Sequence, residues 1–354
     1  MKNKYSLGIY EKGSKAEIIK LIDSVWGKSI AHKSAACWVW KFDDNPHNPP
    51  QGPRIMLLRH LENVVGLMST FSVSLKIGKE IHTALWTVDF MVHPDHRGRA
   101  PRVVRKLMKE QYILVGTPNE DSYRLSQKMG WRNCCDMITY INIVNIGNVL
   151  KNKLSFFPVA NLASVVWKYI KRSIYLLSGF SGDSTLSLVE VSDFGDEMDK
   201  FWEEVAGDYQ NIVIRNKKYL KWRFIDSPNK KYKIFLAKKN NKISGYMVFR
   251  CQKKDNLRYG YIVDFLTKAN DEISLNFLLS NVVSRLISEK VDLITCLISQ
   301  HNKVQQRMLF KNGFLFRKKC LTVISSATTF ANYIPVALAE NKWFITMGDS
   351  DLDM

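Results

Sequence analysis

The sequence predicts a mixed α/β protein made of two tandem copies of one domain, each a mixed, mostly antiparallel sheet flanked by helices. Three observations carry this reading: an ordered internal repeat, the same run of helix-like and strand-like segments in each half, and enough apolar sequence for two cores. The repeat begins with Trp40-Lys41-Phe42-Asp43-Asp44-Asn45-Pro46, echoed by Trp222-Arg223-Phe224-Ile225-Asp226-Ser227-Pro228. Gly66 then matches Gly245, Val88-Asp89-Phe90 matches Val263-Asp264-Phe265, and Asn119 with Gly130-Trp131 matches Asn302 with Gly313-Phe314. Collinear matches at a nearly constant offset are the signature of duplication. The chain has 354 residues, 46% of them hydrophobic, which at roughly 150 residues per domain supports two cores rather than one.

Within each copy the elements follow from local pattern. Ala16 to Trp26 and Met198 to Val205 carry apolar residues at helical spacing, and a short Trp-bearing helix follows, stopped by Asn45-Pro46 or Ser227-Pro228. Arg54 to His60, Val64 to Val73 and Ile81 to Val92 read as strands from their β-branched and aromatic content. Arg102 to Glu110 reads as a helix, Tyr112 to Val115 as a strand, Glu120 to Met129 as a helix and Cys134 to Ile143 as a closing strand. The resulting order, ααβββαβαβ, requires helices to cover a mixed sheet.

These patterns divide the chain into a first domain over 1–143, a linker over 144–183, a second domain over 184–327 and a tail over 328–354. Residues 137–182 contain no Asp or Glu, and from Val159 to Leu177 apolar positions recur at helical spacing with Lys168, Lys171 and Arg172 on another face. A basic amphipathic helix is expected there. It packs across the two domains or, as a second use, lies against an anionic membrane surface.

Charge and cysteine usage narrow the function classes. Lys and Arg number 52 against 33 Asp and Glu, a formal net charge of +19, so an anionic partner is expected without charge saying which. The six cysteines show no CxxC spacing, and neither a disulfide framework nor a metal site is indicated. The first residues lack an apolar signal segment and no stretch reaches the length of a spanning helix, so a cytoplasmic protein is expected, at most peripheral at the inner membrane face. There is no P-loop, no HExxH and no aromatic stripe of the kind that reads RNA, so no specific nucleic-acid partner is expected.

The most informative stretch is Val88-Asp89-Phe90-Met91-Val92-His93-Pro94-Asp95-His96-Arg97-Gly98-Arg99-Ala100-Pro101-Arg102. It resembles motif A of the GNAT superfamily of acyl-CoA-dependent N-acyltransferases, where a strand runs through an R-G-x-G-x-G loop into a helix whose free backbone amides hold a diphosphate. Arg97 and Gly98 match that pattern, Ala100 replaces its middle glycine, and Arg102 replaces its last. A second stretch, Asn119 to Trp131, resembles the family's Asn-bearing strand–helix–turn, with Ser126 at the position where the family often has a proton-donating Tyr. Between Phe265 and Ile273 nothing resembles R-G-x-G, so the second copy is expected to be degenerate. The tail from Trp343 to Asp353 is similar to the terminus of bacterial tandem GNAT proteins found among surface-polysaccharide genes.

The resemblance implies acetyl-CoA, or another acyl-CoA, bound by Met91, Val92, Arg97, Gly98, Arg99, Ala100, Arg102 and Asn119. It implies direct attack of an amine on the thioester, with Asp89 as candidate base and Ser126 as candidate acid. Trp40, Asp349 and Asp351 are the candidate substrate contacts, and the acceptor expected is a small-molecule amine, an amino sugar carried on a nucleotide. Two other classes stay open on the sequence: a Fem-type transferase using aminoacyl-tRNA, favoured by the charge, and a non-catalytic binding protein, favoured by Arg102 and Ser126.

Overall fold

The computed structural model describes residues 4–27, 35–110, 112–153, 185–326 and 342–353. The basic segment 159–177, with the membrane contact expected of it, lies outside these residues. No helix among the described residues is long and apolar enough to cross a membrane.

The first copy runs β1 (Tyr5–Ile9), α1 (Lys15–Trp26), α2 (Ala35–Trp38), β2 (Met56–His60), β3 (Asn63–Ile77), β4 (Glu80–Val92), α3 (Ala100–Met108), β5 (Ile113–Gly116), α4 (Glu120–Lys128) and β6 (Arg132–Ile143). After α5 (Ile146–Lys153), the second copy follows as β7 (Leu186–Val191), α6 (Glu197–Val205), β8 (Asn211–Val213), α7 (Lys217–Leu220), β9 (Lys233–Lys239), β10 (Lys242–Lys254), β11 (Leu257–Thr267), α8 (Glu272–Ser288), β12 (Leu293–Ser299), α9 (Lys303–Lys311) and β13 (Leu315–Ser326). A short strand, β14 (Trp343–Phe344), begins the described part of the tail. The expected mixed, mostly antiparallel α/β architecture is what the chain adopts, the parallel pairs among the described residues being β4–β5, β11–β12 and β8–β14.

Local chemistry explains the boundaries. In α1 the buried Ile18, Leu21 and Ile22 fall on one helical face, and Gly27, at a φ of 88°, ends the helix. The repeated glycine of the two copies does the same job twice: Gly130 after α4 and Gly313 after α9 have φ of 86° and 80°. A residue with a Cβ is strained there. The Trp-bearing helices end in a wide turn in both copies, Asp44 donating its amide to the Val39 carbonyl and Asp226 its own to Lys221.

The closing strands depart from a simple tandem arrangement. One continuous sheet runs β1-β2-β3-β4-β5-β13-β6-β12-β11-β10-β9-β7, with β8 and β14 branching from β3. The last strand of the second copy, β13, inserts between β5 and β6 of the first, and β6 in turn pairs with β12. Each copy therefore lends its final strand to the other, and both cores are closed by residues of both copies.

A pair of tryptophans marks the pseudo-twofold axis. Trp40 Nε1 donates to the Trp222 carbonyl at 2.7 Å and Trp222 Nε1 to the Trp40 carbonyl at 2.9 Å, with the rings stacked at 5.6 Å. Trp40 is thus not a substrate contact. It is 5% exposed with its N–H occupied, because equivalent residues of the two copies meet across the axis. Replacing either by Phe leaves the other's carbonyl unpaired in the core, and each variant should lose about 2 kcal/mol; urea unfolding of W40F, W222F and the double variant should show strong coupling between the two.

His47, next to the same junction, is held by Ser74 Oγ at 2.9 Å and faces Tyr219 of the second copy. Burial, with the Lys218 charge, pushes its pKa down to about 4. The unfolded chain, at an ordinary pKa of about 6.5, then binds the proton first. Stability from this residue is complete above about pH 6.5 and falls as the pH drops towards 4. Unfolding free energy measured at pH 7 and pH 5 should fall in the native protein and fall less in His47→Gln.

Candidate active site

A cleft opens where β4 and β5 part. They pair in parallel from Ala84↔Ile113 to Thr87↔Gly116, and there the approach is so close that a Cβ on Gly116 would lie 2.1 Å from Thr87 Oγ1. Beyond Gly116 the chain turns away through Thr117 and Pro118 into α4, while β4 continues to Val92. Its pairing with β3 slips between Met68↔Phe90 and Thr70↔Thr87, a bulge at Val88–Asp89 that leaves two residues opposite Ser69. Bulges re-aim side chains beside functional sites.

The cleft holds about 250 Å³. It brings together Asp89, Asn119 with Ser126, and Asp351 from three separate stretches of sequence. Asn119 caps α4 by accepting the Ser122 amide at 2.9 Å. Asp89 is 5% exposed and pairs with Lys41 at 3.8 Å. Lys41 is buried as well, and burial pulls its pKa down against the nearby Asp351 carboxylate. A buried lysine thus sits near two carboxylates, an arrangement that the Lys at the centre of Trp40-Lys41-Phe42 signals in sequence only through its counterpart Arg223.

The motif A loop itself does not line this cleft, which is reached by Phe90 before the loop and by Val104 of α3 after it. Pro94–Arg99 forms a tight helical turn that leads directly into α3. The amides of His96 and Ala100 bond back to His93 and Arg97, and Pro101 has no amide to offer. Fewer backbone donors face outward than the family pattern implies, and the cationic Arg97, Arg99 and Arg102 stand around the turn instead. A Cβ on Gly98 would meet nothing within 4 Å. Met91 and Val92 are buried and paired to Leu67 and Gly66 through one edge of β4; among the described residues the other edge has no strand beside it beyond Thr87. Tyr5 hydrogen-bonds His96 at 2.9 Å and packs under Arg99 at 4.9 Å, with His60 and His93 around it.

In the second copy the part of the equivalent cleft next to Asp264 is filled by the chain's own tail, and a groove of about 620 Å³ lined by Asn270, Asn302, Lys303 and Trp343 remains beside it. β11 and β12 pair in parallel only from Tyr259↔Leu293 to Ile262↔Cys296, and the gap beyond is occupied by Trp343 to Ser350. Ser299 donates its amide to the Ile345 carbonyl at 3.0 Å, and Asn302, the counterpart of Asn119, donates to Ser299 Oγ at 2.6 Å and to the Trp343 carbonyl at 3.5 Å. Asp264, the counterpart of Asp89, accepts from Thr346 Oγ1 at 2.7 Å, Tyr246 at 2.6 Å and Arg215. Gly348 is pressed so closely that a Cβ would lie 3.1 Å from Asp264 Cβ.

Two buried clamps hold the tail. Arg215, with no solvent exposure, donates to Asp264 at 3.1 Å and to Asp349 at 2.6 Å. Arg250 holds Asp353 through Nε at 2.7 Å, helped by Tyr232 at 2.9 Å and Lys230 at 3.5 Å. Asp349 is therefore no substrate contact: it is 1% exposed, with its carboxylate taken by Arg215 and the Thr346 amide. Asp351, between the clamps, is the acid that reaches the first copy's cleft. Asp89, Asn119, Ser126, Asp351, Thr117 and Trp131 thus line one cleft, and Lys41 pairs with Asp89. Among the described residues no cluster of His, Cys, Asp and Glu is arranged to hold a metal ion.

Comparison of this geometry with solved structures gives clear likenesses. A probable N-acyltransferase from Enterococcus faecalis, a conserved protein of unknown function, superposes with a TM-score of 0.65 at 11% identity over 94% of this chain and 74% of its own. A GCN5-related N-acetyltransferase from Anabaena variabilis gives 0.64 at 11% identity, over 91% and 72%. The N-myristoyltransferase of Saccharomyces cerevisiae with bound myristoyl-CoA gives 0.58 at 12% identity, over 92% and 83%. The fold is that of the GNAT N-acyltransferases. No protein-family profile matches the sequence, and comparison with curated protein sequences gives no match either.

Removing one partner of a buried pair leaves a charge without compensation, at about 3–5 kcal/mol. Arg215→Leu strands both Asp264 and Asp349, so the tail should come off the second copy, read as rapid amide exchange over Trp343 to Asp349 where the native protein is protected.

Proposed function

We propose that the protein is an acyl-CoA-dependent N-acyltransferase with one working site, in the first copy, that acetylates the amine of a small molecule. The observation that carries this reading is the contrast between the two copies: in the first, Asp89 and Asp351 line an open cleft, and in the second the counterpart Asp264 is covered by the tail and bonded to Thr346, Tyr246 and Arg215. Support comes also from a fold shared with N-acyltransferases and from the free edge of β4 beside the motif A loop. The arginines at 97, 99 and 102 offer the charge a diphosphate requires, in part replacing the amides that the tight turn uses internally.

Acyl-CoA supplies the thioester: the amine's C–N bond forms, the C–S bond breaks, and CoA departs as the thiol. The chain's residues do the rest. Asp351 holds the incoming ammonium, Asp89 takes the proton that must leave before the nitrogen can attack, and Lys41 keeps the two carboxylates together in a site of low exposure. Ser126 stands where a hydroxyl can relay a proton to the departing sulfur. A cleft of about 250 Å³ lies below the ~300–1,000 Å³ of drug-sized pockets, which favours a short acyl group. The acceptor this reading takes is an amino sugar on a nucleotide: the net charge of +19 assists a second diphosphate, and the tail that resembles polysaccharide-cluster proteins is the segment that supplies Asp351.

Calorimetry should find one acetyl-CoA bound per chain, weakened by Gly98→Trp, and little affinity for myristoyl-CoA. Asp351→Asn should lower acetyl transfer to an amino-sugar nucleotide by at least about tenfold, as for loss of a charge-assisted contact, with acetyl-CoA affinity little changed. Acylation of a peptide amine but not of the sugar would keep the reaction and discard the acceptor. Absence of acyl-CoA binding, with aminoacyl-tRNA bound instead, would replace this reading by the Fem-type one.

A further inference from the structure

Two buried polar atoms in the open cleft have no partner. The indole N–H of Trp131 and the hydroxyl of Thr117 are both inaccessible and without a hydrogen bond, and both residues line the cleft. Trp131 is 2% exposed. Native structures seldom leave buried donors unpaired, so two in one small cleft point to an acceptor that arrives with a ligand. Trp86 also has an unpaired indole, but it is sealed in the core and does not border this cleft.

The position of the pair within the site narrows the ligand group. An indole N–H can only donate, so its partner is an acceptor oxygen. Side chains alternate across β4: Asp89 meets Lys41 on one face, whereas Phe90 packs with Val104, Met68 and Trp131 on the face covered by α3. Trp131 thus lies on the α3 face of β4, opposite the Asp89–Lys41 pair, and Thr117 lines the same cleft. The duplicate adds an independent argument. Phe314 stands at the position equivalent to Trp131 in the copy whose carboxylate is covered by the tail, so the fold itself requires only an aromatic ring there. The N–H is present only in the copy whose carboxylate lines an open cleft.

We propose that Trp131 Nε1 and Thr117 Oγ1 are the hydrogen-bond donors for the carbonyl oxygen of the acyl group. This rests on the acyl-CoA reading above and assigns two residues to it. Donors aimed at that oxygen polarise the carbonyl and hold its carbon towards the amine bound between Asp89 and Asp351. CoA without an acyl group lacks the acceptor and leaves both donors as they are in the empty cleft.

Calorimetric titration of the full chain with acetyl-CoA and with CoA tests this. The native protein should bind acetyl-CoA more tightly than CoA. Trp131→Phe, which installs the side chain the second copy already accommodates, should weaken acetyl-CoA by about tenfold and leave CoA unchanged. Thr117→Val should change the same ratio in the same direction, and it decides the matter if Trp131→Phe does not fold by circular dichroism. Equal affinities of native protein and both variants for acetyl-CoA, or equal losses for acetyl-CoA and CoA, would overturn the assignment while leaving acyl-CoA binding in place. Failure of the native protein to bind either molecule would instead remove the acyl-CoA reading and this inference together.

Discussion

A guanidinium with no access to water is stable only when carboxylates surround it, and Arg215 meets that condition only if the tail is docked. Asp264 alone gives it one partner; Asp349, 134 residues further along in the chain's last residues, gives the second. Burial opposes ionisation of Asp349 and Arg215 opposes the burial, so neither charge is tolerable without the other. The rest of the arrangement depends on this pair. With the tail seated, Asp264 of the second copy is covered, Asn302 is bonded to Ser299 and the Trp343 carbonyl, and Asp351 is carried to the first copy's cleft. One duplicated fold thus yields one covered carboxylate and one that lines an open cleft.

The exchange of closing strands makes the two halves a single mechanical unit. β6 and β13 complete each other's sheets, and the Trp40–Trp222 pair locks the wide helical turns at the axis. A cleft assembled from β4, α4 and the distant C-terminal residues depends on such rigidity, because Asp89 and Asp351 keep a fixed separation only if both copies hold their places.

Much of this was legible in the sequence, and the misses have physical causes. The repeat and the alternation of periods predict the two copies and the element order, since both are local. Which copy's closing strand lies beside which is non-local, and β6 and β13 are apolar strands of the same length; nothing in either distinguishes its partner. Trp40 was misread as a substrate contact because recurrence at an aromatic position signals either a site or an axis, and only the fold shows the two rings meeting. Asp349 and Asp351 are two residues apart in one acidic tail, yet one is buried against Arg215 and the other borders the cleft. Trp131 is a larger ring than Phe314 and carries an N–H that Phe314 lacks, a signal visible in the aligned copies that gains meaning only once Trp131 is seen to line a cleft.

The central claim is that the tail leaves a single competent cleft, in the first copy. Amide hydrogen exchange of the full chain with and without acetyl-CoA tests it most directly. The account predicts added protection over Val88 to Val92, around Gly98 and over Thr117 to Ser126, with no change over Asp264 to Asn270 or Ser299 to Lys303. Protection appearing in the second copy's segments, or displacement of Trp343 to Asp349 by the ligand, would contradict it.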